Sequence, residues 1–349
     1  MRAAILTKIN APLEIMELET LPLEFGQVLV KVLVSGLCGA QLHEIRGHKG
    51  NEKFLPHLMG HEGCGIVQEI GPGVTQVAVG DKVVMHWRLG SGIESAFPQY
   101  KLGNRTITSG KVTTLAENTV VSENRLTRVP SDTPDEFAAL LGCGLSTALG
   151  ILNNECDLRF GESIAVVGCG GVGLSVLQAA KLASANPIIG IDIQDSKRNL
   201  ALSCGADFFI NSGAAPLDEQ LHPIAGLNKL DIIIDTTGNP RVIALLSELL
   251  SDSGRLIMVG QPAPGSSVSF LGDASFFGSR GKSIKSTQGG KTNPSEDIAR
   301  YISLQKAGKL QYEPSVTHRF NLSQVNQAFE TLTSGEAGRI MIHMGETNV

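Results

Sequence analysis

Three glycines and one acidic residue carry the clearest chemistry in this chain. In Ile164-Ala165-Val166-Val167-Gly168-Cys169-Gly170-Gly171-Val172-Gly173 a β-branched run enters glycines spaced G-x-G-G-x-G, and a helical pattern from Leu174 to Lys181 leaves them. The stretch reads as strand, tight turn and helix, a turn suited to a pyrophosphate. Gly168 permits the sharp turn, Gly170 lets the backbone approach a ligand, and Gly173 lets helix and strand pack closely. Gly171 and Val172 open the helix, whose free N–H groups and positive dipole end favour an anion. Among 40 glycines such spacing is weak by itself. Context strengthens it: a second strand, Pro187 to Ile191, ends at Asp192, nineteen residues beyond Gly173. A carboxylate there accepts both ribose hydroxyls of an adenosine and repels a 2′-phosphate, which selects NAD(H) over NADP(H).

A second group of polar residues falls in the first part of the chain: Cys38, His43, His61, Glu62 and Cys143. Cys38 follows a strand in Ser35-Gly36-Leu37-Cys38-Gly39, His61 and Glu62 form Gly60-His61-Glu62-Gly63, and Cys143 sits in Leu141-Gly142-Cys143-Gly144. Cys38, His61 and Cys143 are separated by 23 and 82 residues, so no local spacing rule marks them as metal ligands. Taken singly, a glycine-flanked cysteine is more often small core filler, and a lone histidine more often a satisfied surface or core residue.

These groups must be positioned by two kinds of architecture. The first 145 residues read as irregular all-β, with strands such as Gln27 to Val34, Gly65 to Ile70 and Lys82 to Met85 separated by Gly-Pro-Gly and Gly-Asp turns. From 146 to 287 strands alternate with helical segments, the later strands being Asp231 to Asp235 and Gly254 to Gly260. That alternation predicts a doubly wound parallel sheet in an α/β chain. The tail, 288–349, carries an amphipathic segment from Ser323 to Thr333 and a strand from Arg339 to His343, and is expected to complete the first domain. A chain of 349 residues with 42% hydrophobic content supports about two globular domains. A net charge of −5 without a sustained basic run, and 5% aromatic content, argue against nucleic acid or an anionic membrane as partner. No apolar stretch reaches 18 residues, and the expected location is the cytoplasm. Six scattered cysteines do not form a disulfide framework.

The combination resembles the zinc-dependent medium-chain alcohol and polyol dehydrogenases. Cys38-Gly39, Gly60-His61-Glu62-Gly63, Gly71-Pro72-Gly73-Val74, Gly80-Asp81-Lys82-Val83, Cys143-Gly144 and the glycine unit with Asp192 occur in the order of that family across essentially the whole chain. The resemblance implies a GroES-like β catalytic domain, 1–145 completed by 288–349, joined to a Rossmann NAD-binding domain, 146–287, with the active site in the cleft between them. It implies one catalytic Zn2+ per chain held by Cys38, His61 and Cys143, with an open fourth position for Lewis-acid chemistry. Glu62 matches the carboxylate beside the metal, which tunes the site or transiently replaces water in the coordination shell. His43 matches the residue through which a proton relay reaches solvent. Lys197 matches a basic residue near the adenosine ribose, and Arg339 one that contacts the pyrophosphate; ordinary solvated surface charge is the alternative for both. A homodimer or homotetramer is implied, acting on a small-molecule alcohol or carbonyl compound.

Two departures stand out. Between Met85 and Ser122 there is no cysteine, so the further four-cysteine zinc of the family is not expected, and packing around Trp87 and Phe97 is expected to hold that lobe. After Cys38-Gly39, where the family places Ser or Thr and then Asp, this chain has Ala40 and Gln41, which removes the hydroxyl that normally receives the substrate's proton. The leading expectation is an NAD-dependent zinc dehydrogenase for a secondary alcohol, polyol or sugar derivative. The alternatives are a zinc-free quinone or enone reductase on the same scaffold, which leaves three ligand residues unexplained, and a non-catalytic dinucleotide-binding protein, supported by Ala40 alone.

Overall fold

Val28, Val30 and Val32 recur with the period of two that places them on one face of the strand Gln27–Gly36, where they pack with Val67, Val83, Met85, Val121 and Leu126. Around that strand a seven-stranded sheet runs Leu126–Val129, Lys82–Met85, Gly63–Ile70, Gln27–Gly36, Arg339–His343, Val316–Asn321, with Asn118–Ser122 also paired to the central strand. The tail thus joins the first sheet directly: Ile342 pairs with Ser35 and Met341 with Gly36. The computed structural model describes residues 1–224, 229–270 and 280–345.

One unit comprises Met1–Ser146, Thr292–Ala307 and Val316–Val349; the other comprises Thr147–Lys291 and Gly308–Ser315. The segment Gly308–Ser315, expected with the first unit, belongs to the second, where its turn Glu313–Ser315 contacts the helix Gly171–Leu182. The first 145 residues are also less purely β than expected. The helix Gly39–Ile45 turns Leu42 and Ile45, three residues apart, onto an apolar cluster with Leu37, Met59 and Ile340, and the helix Asp135–Leu140 is buried from Phe137 to Leu140. Helical spacing over one or two turns is too short to emerge from a β-rich background.

In the second unit six parallel strands run in the order Phe208–Asn211, Ile188–Asp192, Ile164–Val167, Leu230–Asp235, Leu250–Met258, Ser283–Ser286. Chain order therefore reverses at Ile164–Val167, whose residue Val167 pairs with Ile191 on one side and Asp235 on the other. In open α/β sheets ligands bind outside the carboxyl ends of the strands at this reversal, and Gly168 is the next residue.

The lobe after Met85 is held by hydrogen bonds, and this corrects the expectation of packing around Trp87 and Phe97; Phe97 is exposed. Glu123, wholly buried, accepts from the backbone N–H groups of Thr75 (2.6 Å), Gln76 (2.8 Å) and Ile93 (2.7 Å). Ser122 Oγ accepts from Ser95 N and donates to Ile93 O, and Arg125 donates to Trp87 O. Gly92, at φ +108°, gives Glu123 its room, since a Cβ there would lie 2.8 Å from its side chain. Removing the carboxylate leaves three part-buried backbone donors without their acceptor, at about 1 kcal/mol each. Glu123→Ala is therefore expected to lose ~3 kcal/mol or more of unfolding free energy; an unchanged urea midpoint would refute this account of the lobe.

Candidate metal centre

Cys38, His61 and Cys143 converge. One ligand atom from each lies within 4.8 Å of the other two, the only such cluster among the described residues. Zinc–sulfur bonds of about 2.3 Å in a tetrahedron place two sulfurs ~3.8 Å apart, so a single ion spans this set with slight contraction. Two thiols and an imidazole are the donors a borderline-soft ion takes, and three protein ligands leave a position open.

Each ligand is placed by local backbone chemistry. Cys38 ends the run from the central strand and caps the helix Gly39–Ile45; its N–H donates to Gln41 Oε1 at 2.9 Å and its carbonyl accepts from Gln41 N. Gln41, read from sequence only as a departure, is thus a buried clamp on the cysteine's backbone. His61 follows Gly60, whose φ of +96° and contact with Thr114 exclude a side chain. Beside it the Glu62 carbonyl accepts from Gly36 N (3.0 Å), Ser35 Oγ (3.1 Å) and Thr114 Oγ1 (3.2 Å). Gly142 lets the turn before Cys143 rest on Glu62, where a Cβ would come within 2.8 Å of its Cα.

The three ligands differ in how their surroundings hold a proton. The thiol hydrogen bond from Cys143 holds Cys38 well below the ordinary thiol range against the opposing effect of burial, with His61 adding to the lowering. The same bond, together with burial, holds Cys143 well above it. Burial by itself would lower His61, but its bond to Cys38 and the Cys38 charge outweigh burial and raise it. Of the three, Cys38 is the one whose surroundings favour the deprotonated form that a cation binds. The other cysteines differ: burial pushes Cys64, Cys156 and Cys169 up to about 12 and Cys204 to about 11.

The remaining site residues fall in distinct places. Glu62 does not join the ligand cluster. Its carboxylate accepts from Gly144 N at 3.0 Å and faces Arg339 Nη1 at 3.5 Å, and burial raises it despite the guanidinium. Arg339 is 2% exposed, and its Nε and Nη2 have no hydrogen-bond partner among the described residues. Lys197 is 1% exposed in the turn Asp195–Lys197. Neither is a solvated surface charge. His43 lies on the helix Gly39–Ile45 and meets His48, which sequence reasoning did not single out.

The glycine turn has the geometry its spacing predicts. Gly168 has φ +92°, a Cβ on Gly173 would overlap the Gly168 carbonyl, and a Cβ on Gly170 would meet nothing within 4 Å, leaving an open backbone surface. Gly171 and Val172 form the first turn of the helix Gly171–Leu182. Asp192 Oδ2 accepts from Cys169 N at 2.7 Å and Oδ1 from Gln194 N at 3.0 Å.

Known proteins resemble the chain over almost its whole length. Residues 24–131 match the alcohol dehydrogenase GroES-like domain and residues 171–306 the zinc-binding dehydrogenase domain. An S-(hydroxymethyl)glutathione dehydrogenase of Synechocystis sp. is 30% identical over 98% of this chain and 99% of its own. Among solved structures, an alcohol dehydrogenase zinc-binding domain protein from Burkholderia ambifaria superposes with a TM-score of 0.88 at 28% identity, covering 99% of both chains. The benzyl alcohol dehydrogenase of Acinetobacter calcoaceticus does so with a TM-score of 0.88 at 27% identity, again covering 99% of both. The chain belongs to the zinc-dependent medium-chain alcohol dehydrogenase family. Its activity is NAD-linked interconversion of an alcohol and a carbonyl compound on a small-molecule substrate.

One zinc per chain is expected from elemental analysis of the purified protein, and Cys143→Ser is expected to remove most of it together with most of the activity. Two zinc ions per chain would contradict the reading of the lobe as a hydrogen-bonded substitute for a second metal.

Proposed function

We propose that the chain oxidises a secondary alcohol, polyol or sugar derivative with NAD, and that vicinal diols are its better substrates. The observation that carries the reading is the convergence of Cys38, His61 and Cys143 beside a helix whose second residue is Ala40. Bound zinc supplies Lewis-acid polarisation of the substrate oxygen, and nicotinamide supplies the hydride acceptor. The zinc-free reductase alternative does not account for three convergent ligands.

On the cofactor side, Asp192 is the discriminating residue. A carboxylate offers about four lone-pair positions, and backbone N–H groups take two, which fixes its orientation and leaves the others for ribose hydroxyls. The open face of Gly170 and the first turn at Gly171 and Val172 suit a pyrophosphate, Gly168 and Gly173 shape that turn, and Lys197 is buried in the turn that follows Asp192. The unpartnered donors of Arg339 suit a further anionic oxygen, and Glu62 holds that guanidinium while remaining outside the ligand set.

On the substrate side, oxidation releases a proton as well as a hydride. Ala40 has no group to carry it. A hydroxyl on the carbon next to the reacting one can accept and pass the proton on, whereas a monohydric alcohol has none. Homo-oligomerisation, as a dimer or tetramer, is supported by the place of the strand Ser283–Ser286, which ends the second sheet among the described residues. A cytoplasmic location is supported by six free thiols. Among the described residues no helix is long and apolar enough to cross a membrane.

Two measurements test this reading. At equal subsaturating concentrations NAD should exceed NADP in kcat/KM, and Asp192→Gly should narrow the ratio by about tenfold or more, each tenfold being about 1.4 kcal/mol; faster turnover with NADP in the unmutated protein would overturn the assignment. In matched pairs of substrates, Ala40→Ser should raise kcat/KM for monohydric alcohols more than for diols. Equal or better use of monohydric alcohols by the unmutated enzyme would rule out the diol preference.

A further inference from the structure

His43 and His48 form a ring pair that nothing in the metal cluster or the cofactor turn requires. Their Nδ1 atoms are 3.2 Å apart and their ring centroids 5.4 Å apart. The backbone fixes the same approach: Gly47, with φ +73°, turns the chain so that His48 N–H donates to the His43 carbonyl at 2.8 Å. A Cβ on Gly47 would stand 2.9 Å from Glu52 Oε1 and 3.1 Å from Ile9. Both rings are half-buried, and Arg46 and Lys49 beside them are exposed, so the pair lies at the solvent boundary, with His43 on the helix that Cys38 caps. Two facing Nδ1 atoms at this distance hold one proton between them, one ring donating and the other accepting.

We propose that His48, acting through His43, completes the route by which the proton released in alcohol oxidation reaches solvent. The inference rests on the reading of the chain as an alcohol dehydrogenase. The steps balance. A proton arriving at His43 Nε2 makes that ring an imidazolium; its Nδ1 proton passes to His48 Nδ1; His48 then releases its Nε2 proton to water. The net result is one proton moved and both rings neutral again in exchanged tautomers, which water exchange resets. No oxidant or further reactant is needed, and Ala40 requires no hydroxyl for the outward half of the route.

The charges around His43 agree with this role. Burial lowers it first, then electrostatic repulsion from His48, Lys49 and Arg46 lowers it further, while Cys38 opposes them. Lys49 is itself paired to Glu44 at 2.7 Å. A lowered value keeps the His43 ring neutral near pH 7, ready to accept a proton and unable to retain it. Removing the imidazole at 48 takes away the repulsion between the two protonated rings, so His43 should titrate at higher pH.

The test uses zinc-loaded protein with NAD and the variants His48→Phe and His48→Gln. His48→Phe should lower kcat for alcohol oxidation about tenfold or more at pH 7 with KM little changed, lose less at high pH where hydroxide removes the proton, and recover with added free imidazole. Independently of turnover, histidine-ring 15N NMR on the zinc-loaded, substrate-free protein should show His43 titrating at higher pH in His48→Gln. Unchanged kcat, pH profile and imidazole response in His48→Phe, or an unmoved His43 titration in His48→Gln, would overturn the proposal. An unmutated protein that oxidises no alcohol would instead sink the functional reading, while the ring titration still judges the pair; an active unmutated protein matched by His48→Phe sinks the relay alone.

Discussion

Glu62 ties together the segments that form the metal site. Its carbonyl is held by Gly36, Ser35 and Thr114, and its carboxylate by Gly144 and Arg339, so the central strand, the Thr114 loop, the turn at 142–144 and the strand Arg339–His343 all meet on one residue. Every ligand is within two residues of one of these attachments: His61 adjoins Glu62, Cys38 follows Gly36 by two, and Cys143 precedes Gly144. A buried carboxylate without partners would be prohibitively expensive, and one with a backbone donor and a guanidinium is tolerable only while both stay in place. The ligand geometry is therefore a consequence of satisfying Glu62. Gly144 belongs to the same arrangement, since a Cβ there would fall on the Arg339 guanidinium.

What the sequence disclosed follows the range over which each feature is encoded. The glycine turn was readable in detail because its constraints are local: Gly168 needs a positive φ, Gly173 needs contact with the Gly168 carbonyl, and both follow from strand, turn and helix in succession. The metal cluster was not readable from spacing, because 23 and 82 residues separate ligands that strand pairing and a buried turn bring together; only the resemblance to a known family named them. Burial of charge was also hidden. Arg339 and Lys197 are residue types that usually lie at the surface, and their burial becomes visible only once the fold is closed.

Three further features escaped the sequence for a different reason. In the lobe, Glu123 and Ser122 collect backbone donors from segments up to 48 residues away, and a carboxylate flanked by ordinary strand residues carries no mark of that task. His48 lies five residues beyond His43, off the three- and four-residue spacing of helix neighbours, and reaches it only because Gly47 turns the chain back. Gln41, noted as a loss of the usual acid, gains a function in this backbone as the acceptor for Cys38 N–H.

The unequal sharing of protons between Cys38 and Cys143 has a thermodynamic consequence for the metal itself. Surroundings that favour the thiolate at Cys38 and the thiol at Cys143 mean that protons must leave the cluster as the ion enters. Linkage makes the exchange reciprocal: what loading releases, acid returns, so affinity for the ion climbs with pH and acidification strips it. Metal content in this chain is thus a reporter of the acidity in which the protein was loaded.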